Sequence, residues 1–181
     1  MDARFQAYYQ VLFMPVSVIN LFAGFIFRPM LTELSVLNDE CRRREFFNKI
    51  FKMLAMICIF SLVCVAAAYI AGVQVLGVLA GCELGGYRNV LVLLIFSGGL
   101  NAISVALYYV LTIYRSSTSI MTGYIAASVT AYFVSPVFVR RYGLMGGAFS
   151  YLSVVLLLNI IFGVCIFVND RRIYGNRKKE L

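Results

Sequence analysis

Histidine and tryptophan are absent from this 181-residue sequence, and only 13% of its residues are charged. Without histidine, the Ser-His-Asp class of nucleophile and the histidine-ligated zinc sites are excluded. Acids number eight, and Asp2, Glu33, Asp39, Glu40, Glu45, Glu83, Asp170 and Glu180 all fall in expected loops or at helix ends. A carboxylate relay for protons or sodium in mid-membrane is therefore not expected. The serines have no base within the apolar segments, and Gly81–Gly86 ("GCELGG") lacks the lysine of a phosphate-binding loop and reads as a turn. No enzymatic role, cofactor or metal is expected. The five cysteines, Cys41, Cys58, Cys64, Cys82 and Cys165, show neither a pairing pattern nor metal-ligand spacing.

What is present is carbon. Hydrophobic residues make up 62% of the chain and mean hydropathy is +0.88. Uncharged stretches run over 5–27, 53–82, 89–114, 116–139 and 142–169. Each is long enough for the roughly 20 apolar residues that cross a bilayer core as a helix. A single charge at mid-membrane costs about 2.5–3.5 kcal/mol on insertion scales, so five such gaps point to the membrane. The stretches lack the alternation of barrel strands, and an unpaired backbone in lipid must close its own hydrogen bonds. The expected class is an all-α integral membrane protein with about five transmembrane helices, at about 5–34, 50–78, 89–114, 117–139 and 145–168 in one membrane domain spanning 1–181. A signal peptide is not expected at the start, which has no basic leader region and carries polar residues through its apolar segment.

The 16 basic residues sort by side. Alternate joints place twelve of them (Arg28, Arg42, Arg43, Arg44, Lys49, Lys52, Arg115, Arg171, Arg172, Arg177, Lys178 and Lys179) on one side and four (Arg4, Arg88, Arg140 and Arg141) on the other. The positive-inside rule then predicts a multi-pass protein of the cell membrane with its N-terminus outside and its C-terminus cytoplasmic. Cys82 should lie outside and Cys41 inside, a difference that impermeant thiol labelling reads. The basic tail over 169–181 is expected to set orientation and to meet anionic lipid. It explains the net charge of +8 without nucleic acid.

Helical periodicity picks out two polar stripes. In the first span Gln6, Gln10, Ser17, Asn20, Gly24 and Arg28 share a face, flanked by Tyr9 and Phe13, with Pro15 opposite. In the third, Ser97, Asn101, Ser104, Tyr108, Thr112 and Arg115 do so. The fourth has a weaker stripe of Ser117, Tyr124, Ser128 and Ser135, broken near Pro136, and the fifth carries Asn159 near its middle. Such a face turns to a hydrated cavity or to other helices, not to lipid. The candidate cavity or substrate contacts are Asn20, Arg28, Asn101, Ser104, Tyr108 and Arg115.

Three segments carry a resemblance. "FIFRPMLTELSVLND" with the basic amphipathic "EFFNKIFKM", then "SGGLNAISVALYYVLTIYRSS", then "RRYGLMGGAFSYL" resemble the C-terminal lobe of bacterial polysaccharide flippases of the multidrug/oligosaccharidyl-lipid/polysaccharide exporter superfamily. The resemblance covers nearly the whole chain, through soft motifs of polar punctuation in apolar helices. It implies part of a MATE-like transporter lobe that acts with an N-terminal lobe, or with a second copy in its place. It implies as substrate a polyprenyl-diphosphate-linked oligosaccharide, moved to the outer leaflet for lipopolysaccharide or other surface polysaccharide. A lobe of a multidrug exporter of the same fold, or a non-transporting membrane subunit, are the alternatives. The two arginines that end the stripes, Arg28 and Arg115, are expected to meet an anionic headgroup.

Overall fold

The computed structural model describes residues 3–40, 42–80 and 85–177, with side chains over 8–40, 42–78 and 86–171. Cys41 and Cys82 lie outside these ranges. Among the described residues every element is helical: α1 (Ala3–Asp39), α2 (Arg43–Ala67), α3 (Val73–Ala80), α4 (Arg88–Ile113) and α5 (Ser117–Arg177). A π-helical turn, Ala68–Gly72, joins α2 to α3, and a single 3-10 turn, Gly85–Tyr87, precedes α4. Four of the helical stretches are long and apolar enough to cross a membrane: Tyr8–Asp39, Arg43–Val78, Arg88–Ile113 and Ser117–Arg171.

The last stretch doubles back. Gly143 has φ 57° and ψ −129°, far from helical values, inside α5. A positive φ is open to glycine at no steric cost. Three residues on, a side chain at Gly146 would run into the Phe138 backbone carbonyl. One glycine therefore permits the reversal and the other lets the returning arm pass. Toward the α4–α5 joint the arms meet: Phe162 packs edge-on against Tyr124 at 5.6 Å, and the Asn169 amide donates to Ser116 and Ser119 at 3.0 and 3.3 Å. The second arm continues as helix to Arg177, beyond the expected span end at 168.

Helix α4 is the centre. More than half of its apolar window (56%) is buried, against 17–28% for the other three stretches. Its Gly98 and Gly99 allow this. A Cβ on Gly98 would lie 2.8 Å from Val16 of α1, and one on Gly99 2.6 Å from Ser61 of α2. Close backbone approach of this kind is what holds helices together where lipid supplies no hydrophobic force between them. The main cluster of buried side chains joins α1 (Leu12, Val16, Phe27), α2 (Phe46, Met53) and α4 (Leu91, Leu94, Ala102). A second joins Leu111 of α4 to Ala127, Leu158 and Phe162 of the two arms of α5.

Contacts assign two ends to the bundle. Tyr8 stacks on Tyr87 at 5.9 Å and Tyr9 lies against Gly147, so the start of α1, the start of α4 and the Gly143 reversal share one end. Phe46 meets Tyr114 at 5.8 Å and Arg43 pairs with Asp170, so the α1–α2 joint, the α4–α5 joint and the close of α5 share the other.

The π turn leaves backbone carbonyls out of helical register. Arg88 answers one of them: its Nε donates to the Tyr69 carbonyl at 2.8 Å, its Nη2 donates to the same oxygen, and the guanidinium lies 4.4 Å from the Tyr69 ring centre. The site is exposed, so Arg88→Gln should lower stability modestly, by about 1 kcal/mol. Hydrogen exchange should quicken around 68–72 and remain unchanged in α4.

Candidate functional site

The two stripes meet. Asn101 of α4 donates from Nδ2 to Oδ1 of Asn20 on α1 at 3.1 Å. Below this junction α1 presents a groove of about 520 Å³ lined by Ser17, Asn20, Leu21, Gly24, Phe25 and Arg28. The expected stripe of α1 and this groove are the same surface, and Arg28 is exposed at its end. On α4, half-buried Tyr108 packs edge-on against its neighbour Tyr109 at 5.4 Å and against Tyr124 of the first arm at 6.3 Å. Asn20, Asn101, Tyr108 and Tyr124 thus run across three helices as a seam of hydrogen-bonding side chains.

The upper serines of the α4 stripe take another course. Ser97 and Ser104 are buried and turn back on their own helix, donating to Leu93 O at 2.7 Å and Leu100 O at 3.4 Å. Such local bonds let a hydroxyl sit among packed helices. Ser104 is therefore placed in the packed layer beside the seam. Asn159, in the middle of the second arm, reaches across to the same Leu100 carbonyl at 3.0 Å and ties α5 to α4. Its Oδ1 is buried with no hydrogen-bond partner.

Arg115 stands apart from the stripe, because the helix ends before it. Tyr114 caps α4, and Arg115 has φ 54°, uncommon for a non-glycine residue. It lines a pocket of about 660 Å³ together with Ser116, Ser117, Thr118, Ser119 and Asn169. Hydroxyls, the backbone N–H groups that open α5 and a guanidinium suit an anion there. The structure does not bring Arg28 and Arg115 into one site: they lie in separate depressions toward the same end of the bundle.

One feature escapes sequence reading. Asp170 opens the basic tail with "NDRR" and is expected in a loop or at a helix end, yet it lies inside α5 with its side chain only 5% exposed and held by Arg43 of α2. The signal for it was the step of four from Phe162 through Ile166 to Asp170, which continues the packed face of the arm. Nearby, Lys49 pairs with Glu33, and Arg42 bonds Glu45 (2.6 Å) and Glu40 (3.3 Å). Those bonds, to Glu45 first and Glu40 next, raise the Arg42 pKa above its usual value. Among the described residues, no group of three or more His, Cys, Asp or Glu side chains is placed to hold a metal ion.

The fold and seam define a class: a bundle of long apolar helices with a polar face across three of them. Comparison with protein-family models, with curated proteins and with solved structures gives no match.

Proposed function

We propose that the chain is the C-terminal lobe of a transporter that flips polyprenyl-diphosphate-linked oligosaccharide across the cytoplasmic membrane for surface polysaccharide assembly. The two arms of α5 count as separate spans in this reading, giving five in all, with the basic end cytoplasmic and the Gly143 end outside. The observation that carries it is that Asn20, which lines the α1 groove, also bonds Asn101 of α4, so that the two polar faces meet at the groove. Hydrogen-bonding groups on a surface that lipid would otherwise cover cost kcal/mol each when left unsatisfied. A hydrated path shared with a second bundle satisfies them. In an alternating-access carrier the substrate site lies between two bundles that rock against each other, and an N-terminal lobe or a second copy supplies the other one. Arg28 and Arg115 serve the diphosphate, since guanidinium offers a planar fork to phosphate oxygens. The strain at Arg115 supports this role: glycine would sit there more easily, so the side chain has a use beyond the turn.

A second reading has its own observation. Asn101 and Asn20 bond each other directly, as they would in a dry helix contact worth about 0.6–2 kcal/mol. That favours a packing seam in a non-transporting subunit. Single cysteines at Asn20, Asn101 and Tyr108, in cells that also supply a matching N-terminal lobe, separate the two readings. Hydrophilic thiol reagents should modify all three at least tenfold faster than a cysteine at Leu111, which is fully buried. Equal protection at all four positions assigns the seam to packing and removes the transport reading. Without the second lobe, the chain should fail to restore polysaccharide export in a flippase-deficient cell.

A further inference from the structure

The α5 hairpin is tight where its arms meet near the α4–α5 joint and where Gly146 passes Phe138, and it carries a cavity along its side between the two. Near the α4–α5 joint the arms touch: Gly123 lies so close to the Phe162 ring that no side chain would fit there. Toward Gly143 they flank a cavity of about 380 Å³. Ala131, Ser135 and Val139, at steps of four, form the wall on the first arm. Gly147 and Tyr151 face them from the second arm, and Tyr9 of α1 closes the side. The lining is mostly carbon with scattered hydroxyls, and the volume is in the range of small-molecule sites, about 300–1,000 Å³.

Among the described residues, charge beside this crevice is unbalanced. Arg140 and Arg141 directly follow the wall residue Val139, and both are exposed. Neither makes an ion pair or hydrogen bond among the described residues. The described acids, Glu33, Asp39, Glu40, Glu45 and Asp170, all belong to the opposite end of the bundle. The third described arginine at this end, Arg88, is occupied by the Tyr69 carbonyl and ring. Tyr8, Tyr9, Tyr87 and Tyr142 gather at the same level, as aromatic side chains do where a bilayer meets water.

We infer that the crevice holds an acyl chain of an anionic membrane phospholipid whose phosphate rests against Arg140 and Arg141. Methylenes fit the carbon walls, and the net negative headgroup balances two guanidinium groups that have no counter-ion among the described residues. A zwitterionic phospholipid brings the same chain, but its ammonium meets those arginines with the wrong sign. The site rests on the chain lying in a membrane and is independent of what the bundle transports. Failure of the export assay leaves it standing, and its own failure leaves the transport reading untouched.

The 181-residue chain, purified in mild detergent, is titrated with phosphatidylglycerol or phosphatidylcholine of identical acyl chains, and retained lipid is counted by native mass spectrometry. One phosphatidylglycerol per chain should be retained with at least a tenfold preference. Arg140→Gln with Arg141→Gln should bring the preference below twofold. Ala131→Phe, which fills the crevice, should lower phosphatidylglycerol retention at least tenfold while circular dichroism shows unchanged helicity. If that variant loses helicity, Ser135→Leu takes its place. Glycerol phosphate, which has the head without the chain, should not displace the lipid. Equal retention of the two lipids by the unsubstituted chain overturns the inference. So does displacement by glycerol phosphate, or loss of retention in the arginine variant with none in the folded crevice-filling variant. Each of those results means surface charge attraction without a chain site.

Discussion

Replacing Arg43 by alanine should destabilise the bundle by about 2–3 kcal/mol, more than any other single loss of a surface charge in this chain. Asp170 is the reason. Its side chain is 5% exposed, its Oδ2 is held by Arg43, and its Oδ1 is buried with no hydrogen-bond partner. Removing the arginine leaves a carboxylate out of water without its counter-charge, and that penalty exceeds the net worth of the intact pair. The Arg43 side chain is 53% exposed, which keeps the expected loss below that of a fully buried pair. Contact with the Phe47 ring, 5.8 Å from the guanidinium carbon, is lost as well. Because the damage lies in the orphaned acid, Arg43→Ala with Asp170→Ala should be more stable than Arg43→Ala alone. Denaturation followed by circular dichroism in detergent gives both values. A change within about 0.5 kcal/mol for Arg43→Ala, the ordinary size of a surface substitution, would mean that water reaches Asp170 after all.

The second large effect belongs to the proposed transport function. With a matching second lobe present, Arg28→Gln together with Arg115→Gln should cut surface polysaccharide at least a hundredfold. Hydrogen bonds to a charged group contribute about 1.5–3 kcal/mol each, and two sites lost together reach about 3–6 kcal/mol. The separation of the α1 groove from the α4–α5 pocket fits two stops on one path, so each single replacement should also show a defect. Arg115→Gly distinguishes function from folding. Glycine relieves the positive φ at this turn, so the protein should be at least as stable while export falls. Unchanged export in the double variant, with normal amounts of protein, would reduce both arginines to interfacial anchors.

The helices were legible because their causes are local. Charge gaps and apolar length placed α4 to within a residue at each end, whereas α1 runs to Asp39 and α5 to Arg177, past the expected 34 and 168, since a bilayer tolerates few charges along a span but does not end a helix at its surface. The reversal between the arms was marked by "VRRYG", where two charges interrupt the apolar run and a glycine follows. Its sharpness was not marked, because it depends on how closely Gly146 passes the Phe138 carbonyl. The π turn at Ala68–Gly72 left no sign either: one extra residue in a helical turn changes neither composition nor hydropathy.

The stripes show the same division within the candidate site. Period alone put Asn20 and Asn101 on polar faces, and those faces do meet. Period could not say that Ser97 and Ser104 bond their own helix, because a serine on a polar face and a serine in a packed contact have the same spacing. It also carried Arg115 one step past the end of α4, where the backbone leaves helical geometry. By itself the sequence determined the class of element, the apolar lengths, the two ends of unequal charge and the polar faces, all of which follow from the order of residues along one chain. Tertiary structure alone decided which faces meet, that Asp170 is buried against Arg43, and that a crevice lies along the α5 hairpin toward Gly143. Each of these depends on residues distant in sequence approaching to within a few ångströms, and that distance is set by packing rather than by pattern.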